Sequence, residues 1–168
     1  MAGLLNTKAQ DTSAKSLTNP VLQKIESGIE SQLTPKNKTQ YLSFVTAGMN
    51  VMFSNQSGQR VLNKLKTSTD IVSDVSQGIA NVIAVIFNEA STNINAQQVQ
   101  ELIAGAIPAS VTLMTQAFDA YEKLTGQIVS EQMAADATKY TTRAVLAKFK
   151  ITQDKMKQVI TAKQQNKV

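Results

Sequence analysis

The sequence predicts an all-α fold: six or seven amphipathic helices in a bundle or extended helical assembly, behind a flexible polar N-terminal arm. Three observations carry this. Apolar residues recur at spacings of three and four along most of the chain. Helix-start signals (Asn19-Pro20, Thr34-Pro35, Asp70, Asn95, Ser130) stand just ahead of those periodic segments. No segment alternates apolar and polar residues convincingly enough to make a half-buried strand, and no internal repeat is evident. The predicted organisation is an arm over 1–18, a helical domain over 19–150 and a basic C-terminal helix or tail over 151–168.

The arm is polar and carries no helical period, with Leu4-Leu5 its one adjacent bulky pair. Asn19 is a capping residue and Pro20 occupies the first helical position, where a missing N–H costs nothing. Leu22, Ile25, Ile29 and Leu33 then form one stripe. Thr34-Pro35 opens a second helix with a Tyr41, Val45, Met49, Met52 seam, widened by Leu42, Phe44 and Phe53. Asn55-Gln56-Ser57-Gly58 breaks it, and a short basic helix with Val61, Leu62 and Leu65 follows. Asp70 caps the next helix, 71–90, whose Ile71, Val75, Ile79, Val82, Ile86 seam is joined by Val72, Ile83, Val85 and Phe87. An apolar surface of that width predicts burial on more than one side.

Asn95 and Gln98 have the spacing of a capping box. They precede the most regular seam in the chain: Ile103, Ile107, Val111, Met114, Phe118, Tyr121. Pro108 lies inside it and predicts a kink, or a split into 96–107 and 109–125. Gly126 is a stop signal. Beyond Ser130, Met133, Ala137, Tyr140, Ala144 and Ala147 are predicted to face one way, with Val145 and Phe149 beside them. Ile151-Thr152 is predicted to separate this helix from a last one bearing Met156, Val159 and Ile160.

Composition bounds the chemistry. The 168 residues contain no His and no Cys, which removes the commonest general base and metal ligand, thiolate sites and disulfides. Ser, Thr, Asn and Gln together supply 58 residues, while charged residues reach only 17%. The net charge of +5 is unevenly placed. Residues 139–168 carry eight basic groups against Asp154 alone, a net +7, and the remainder is a weakly acidic body of −2. A basic end of this kind suits an anionic partner or a solvated helix face. Lys148, Lys150, Lys155, Lys157, Lys163 and Lys167 are the candidate contacts to nucleic acid or an anionic surface.

The start, Met1–Gln10, lacks the basic and apolar regions of a secretory signal, so synthesis in a cytoplasm is expected. The longest uncharged windows, 75–88 and 102–118, have 14 and 17 residues, fewer than the roughly 20 that a lone transmembrane helix needs. A ring of amphipathic helices could still line a water-filled pore. The carboxylate pairs Glu26/Glu30, Asp70/Asp74 and Asp119/Glu122 have helical spacing, but solvated faces and a cap account for them. The phosphate-cradling GxxxxGK[ST] loop is absent. Thr12/Lys15 and Thr152/Lys155 match a hydroxyl–lysine pair in spacing alone, and the latter reads as a cap and first turn. Asn37-Lys38-Thr39 and Asn55-Gln56-Ser57 fit a glycosylation acceptor without the secretory signal that would expose them to glycosylation. The expectation is no enzyme, no cofactor, no metal and no small-molecule substrate.

Low charge and abundant neutral polar groups suit close packing among copies, since copies repel weakly and their polar groups can bond across an interface. Ile79, Val82, Ile83, Ile86, Phe87, Ile103, Ile107, Val111, Met114 and Phe118 are the candidate packing residues, within a chain or between chains. The segments GIANVIAVIFNEAS (78–91), AIPASVTLMTQAFDAYEKLTGQ (106–127) and VSEQMAADATKYTTRAVLAKF (129–149) resemble, in style and helix order, small structural proteins of tailed-bacteriophage virions. The nearest likeness is to short internal, or ejection, proteins of short-tailed phages. That resemblance implies a homo-oligomeric virion protein that leaves the particle with the DNA and assembles into a conduit across the host envelope. It also implies contact with other virion proteins, DNA or host membrane. The alternatives are a static neck, tail or head-completion subunit, a helical nucleic-acid-binding module using the basic C-terminus, and a bacterial secretion or pore-forming accessory protein.

Overall fold

The structure is a computed structural model that describes residues 17–54 and 56–165. From residue 151 onward it describes the backbone alone, apart from Asp154. The expected arm therefore lies outside the described residues as far as Ser16. Leu17 is already buried in the core, so packing begins ahead of the Asn19 cap.

The described residues form six helices and no strand: α1 (Pro20–Gln32), α2 (Pro35–Phe53), α3 (Ser57–Thr67), α4 (Ile71–Ala90), α5 (Ala96–Thr125) and α6 (Glu131–Gln165). The caps follow from local chemistry. Asn19 Oδ1 accepts from Val21 N at 2.8 Å and Asp70 Oδ1 from Ser73 N at 3.1 Å. Asn95 and Gln98 exchange both bonds of a capping box. Ser130 Oγ accepts from Met133 N at 3.2 Å. Gly126 ends α5 in the left-handed region at φ 71°, a conformation that favours glycine.

The centre of the bundle is α5, which touches all five other helices. Every residue from Ala109 to Asp119 is buried, polar ones included. α1 runs antiparallel to it, as Asn19 meets Glu122 and Glu26 meets Gln116. α2 runs parallel to it: Gly105 lies against Gln40 and Tyr41, and Gly48 against Leu113. These two glycines let the α2 and α5 backbones approach closely. α4 and α6 also run parallel to each other, joined at one end through Ser76, Ala137 and Thr141 and at the other by the Phe87 and Phe149 rings, 4.6 Å apart.

Several expectations are corrected. The predicted division at Pro108 does not occur, because α5 is continuous. Proline removes one donor, that facing the Ala104 carbonyl, while Ser110 Oγ bonds the neighbouring Ile107 carbonyl at 2.6 Å and neighbours on all sides hold both halves. Ile151-Thr152 does not end a helix: α6 runs through it, since the chain contains neither Gly nor Pro beyond Gly126. Thr152 is thus a helix-interior residue, not a cap. The inner face of α6 is Ala134, Ala137, Thr141, Val145 and Phe149. That face is one position round from the predicted stripe, leaving Tyr140 half exposed. Small Ala137 and Thr141 permit the close approach of α4. On α2, Leu42 is exposed and Ala47 and Gly48 take the inner side. Val85 is exposed, so α4 is not covered all round. Ser57 and Gly58, expected in a break, form the first turn of α3, with Gly58 N bonded to Ser54 O.

Candidate functional site

The packing residues are brought together inside one chain. Ile79, Ile83, Ile86, Phe87, Val111, Met114 and Phe118 are buried, while Val82, Ile103 and Ile107 are partly buried against them. The seam spacing is therefore satisfied by α4 and α5 meeting each other and α2, α3 and α6. As a 20-residue helix with mean hydropathy 1.4 over its best window, α4 is long and apolar enough to cross a membrane. This revises the shorter estimate from its uncharged stretch: the helix reaches about 30 Å at its full length. A core helix passes the same test, and the Ile71, Val75, Ile79, Ile83, Ile86 face is buried here.

Of the basic candidates, Lys148 is half-buried on α6 and Lys150 is exposed. Lys155, Lys157 and Lys163 lie on the α6 backbone, their side chains outside the described residues, as is the whole of Lys167. α6 continues sixteen residues past Phe149, about 24 Å of helix. Its partner α4 ends three residues past Phe87.

Within α5 lies a feature the sequence did not disclose. Ser110, Thr112, Thr115, Gln116 and Asp119 are buried in the middle of the bundle. Thr112 Oγ1 and Tyr41 OH are 2.9 Å apart, and Thr115 Oγ1 donates to Thr112 O at 2.7 Å. Gln116 Nε2 reaches Glu26 Oε2 at 3.5 Å, and Lys123 Nζ donates to Asp119 Oδ2. Asp119 is only 4% exposed, and its Oδ1 has no hydrogen-bond partner. This overturns its reading as part of a solvated face. Burial, helped by Glu30 and Asp119 and opposed by Gln116, raises the Glu26 carboxyl from its ordinary 4.5 to about 6. Burial likewise raises the Tyr41 phenol, against the Thr112 bond. Just below, Glu122 Oε1 accepts from Asn19 Nδ2 at 2.6 Å and from Val129 N at 2.7 Å, tying α1 and the entry to α6 to the end of α5. A signal existed in the sequence: Thr112, Thr115, Asp119 and Glu122 recur at 3, 4, 3 on the most regular helix.

Two spaces adjoin these elements. An apolar cavity of about 90 Å³ lies among α2, α3, α4 and α5, with Met52, Val61, Leu65, Val75 and Ile79 in its wall. A mixed groove between α4 and α6 is lined by Asp70, Val72, Gln77, Tyr140 and Arg143. Among the described residues, no three His, Cys, Asp or Glu side chains come close enough to hold one metal ion. Comparison with protein-family models, curated proteins and solved structures finds no match to this chain.

Proposed function

We propose that the chain is a non-enzymatic structural subunit of a bacteriophage particle, an oligomeric ejection-conduit subunit that helps carry DNA across the host envelope. The observation that supports this reading most directly is the α4–α5 hairpin at the centre of the bundle. One of its helices is apolar and long enough to cross a bilayer, and the other carries a buried polar stripe. In the closed monomer the apolar faces meet each other. Opened, the hairpin would offer lipid an apolar surface and a water-filled lumen a polar one, the arrangement a helical pore requires. The resemblance of 78–150 to phage ejection proteins supplies the biological setting.

Mass in solution, with and without anionic vesicles, tests the reading alongside release of a trapped dye. Oligomers and leakage on adding lipid are expected. A strict monomer that leaves vesicles intact would sink the conduit. A second reading, a static virion subunit or nucleic-acid module holding an anionic partner through α6, is favoured by one observation. The basic run continues as helix through Lys163, beyond the ring contact with α4. It predicts DNA binding that weakens steeply with salt and retention in emptied particles. Loss of the protein along with the ejected DNA supports the conduit instead.

A further inference from the structure

α1 is a peripheral helix: it touches α5 and, to a smaller extent, α6. Its apolar stripe packs on the core, but the polar part of its α5 contact carries a charge imbalance. Half-buried Glu26 of α1 lies 3.5 Å from Gln116 Nε2, one turn from buried Asp119 of α5, whose Oδ1 has no hydrogen-bond partner, and Glu30 follows one turn along α1, exposed. The compensating cation is Lys123, which occupies the other Asp119 oxygen. From α2 the titratable neighbour is Tyr41, hydrogen-bonded to Thr112. From α6, neutral Thr138 and Thr142 line the groove beside Ile29 and Leu33. Lys123 thus balances Asp119, while Glu26 is half-buried beside a second carboxylate and Glu30 stands exposed one turn away.

We propose that Glu26, Glu30 and Asp119 make the α1–α5 contact a pH-sensitive latch, closed in acid and loosened toward neutral pH. Protonated, Glu26 removes one negative charge from the cluster and its burial no longer costs the hydration of an ion. Ionised, it is repelled by Glu30 and Asp119 while Gln116 offers one long bond. The carboxyl value of about 6 places the change just below neutrality. The device belongs to the monomer and does not depend on the conduit reading.

Hydrogen exchange of the full chain tests it, with rates corrected for the intrinsic pH dependence of the amides. Between about pH 5 and about pH 7.5, α1 amides should open more often by about three- to eightfold, the upper figure being full linkage for Glu26. The α5 amides around Phe118, which open only with the whole fold, should stay better protected than those of α1 at both pH values. Glu26→Gln should abolish the α1 response. In the unmutated chain the Glu26 carboxyl should titrate by NMR near 6. Equal α1 protection at the two pH values, a response persisting in Glu26→Gln, or a Glu26 midpoint in the ordinary carboxylate range would each overturn the latch.

Discussion

Gly105→Ala probes the α2–α5 contact directly, because the same substitution elsewhere in the chain should have the opposite sign. In an unencumbered helix, Ala replaces Gly with a gain of about 1 kcal/mol. At Gly105 the added Cβ would lie 2.5 Å from Gln40 Cβ and 2.9 Å from both Gln40 C and Tyr41 N. All three atoms are fixed by the α2 backbone and cannot rotate aside. Restoring ordinary contact moves α2 and α5 apart by about 0.9 Å, the shortfall of the closest contact from 3.4 Å, and at that size overpacking costs about 2–3 kcal/mol, the upper part of its usual range. The seam that would open includes buried Tyr41, Phe44 and Ala47. The net is a loss of about 1–2 kcal/mol, which lowers the melting temperature by roughly 2–8 °C in a chain of this size. Gly28 and Gly78 have nothing within 4 Å of the added Cβ. Their Ala variants should melt higher than the parent, by roughly 1–4 °C. Circular-dichroism melts of the three variants decide the matter. Gly105→Ala melting at or above the parent would refute the claim that backbone approach at this glycine sets the α2–α5 spacing.

The other expectations concern polar groups and the core. Phe118→Ala, at a fully buried ring in the central helix, should cost about 3–5 kcal/mol by urea unfolding. Tyr41→Phe leaves Thr112 Oγ1 without its buried partner and should cost about 1–2 kcal/mol, visible as a lower urea midpoint at unchanged slope. Asn19→Ala removes a helix cap and the bonds to Glu122 and Val129 O together; a loss of about 1–2 kcal/mol is expected, with faster exchange in the first turn of α1. Because the Glu26 carboxyl is raised in the folded chain, its contribution is fully present below 4.5 and is lost as pH rises through about 6. Global stability should therefore fall across that window by about 1 kcal/mol, roughly half the full linkage value because the group is part-exposed.

Local signals were legible and tertiary depth was not. Asn19, Asp70, Asn95, Ser130 and Gly126 act on backbone within four residues, so their roles could be read directly, and each is in place. Pro108 predicts a kink or a split from local chemistry, and only the split is ruled out: a helix held on every side does not divide for one missing bond. On α6 periodicity places Ala137 correctly but prefers bulky Tyr140 to Thr141, the residue that meets Ser76 of α4. Carboxylates usually sit in solvent, and helical spacing alone places Asp119 there. Its burial follows from α5 being enclosed by α1 and the other helices, which periodicity along one helix does not report. The same limit held for the packing residues, whose spacing was plain and whose partners were not.

The enclosure of α5 also bears on the order in which the chain can fold as it is made. α1, α2 and α3 each rest part of their apolar surface on α5, yet about a hundred residues separate Pro20 from Thr125 at the far end of that helix. At ribosomal speeds of about 5–20 residues per second, the early helices wait roughly 5–20 s for the surface they pack against. Their Leu22 and Phe44 side chains lack the cover of α5 meanwhile, as substrates for chaperones or for premature contact between neighbouring nascent chains. The synthesis of α5, not of the first helices, is then the moment at which this chain acquires a core.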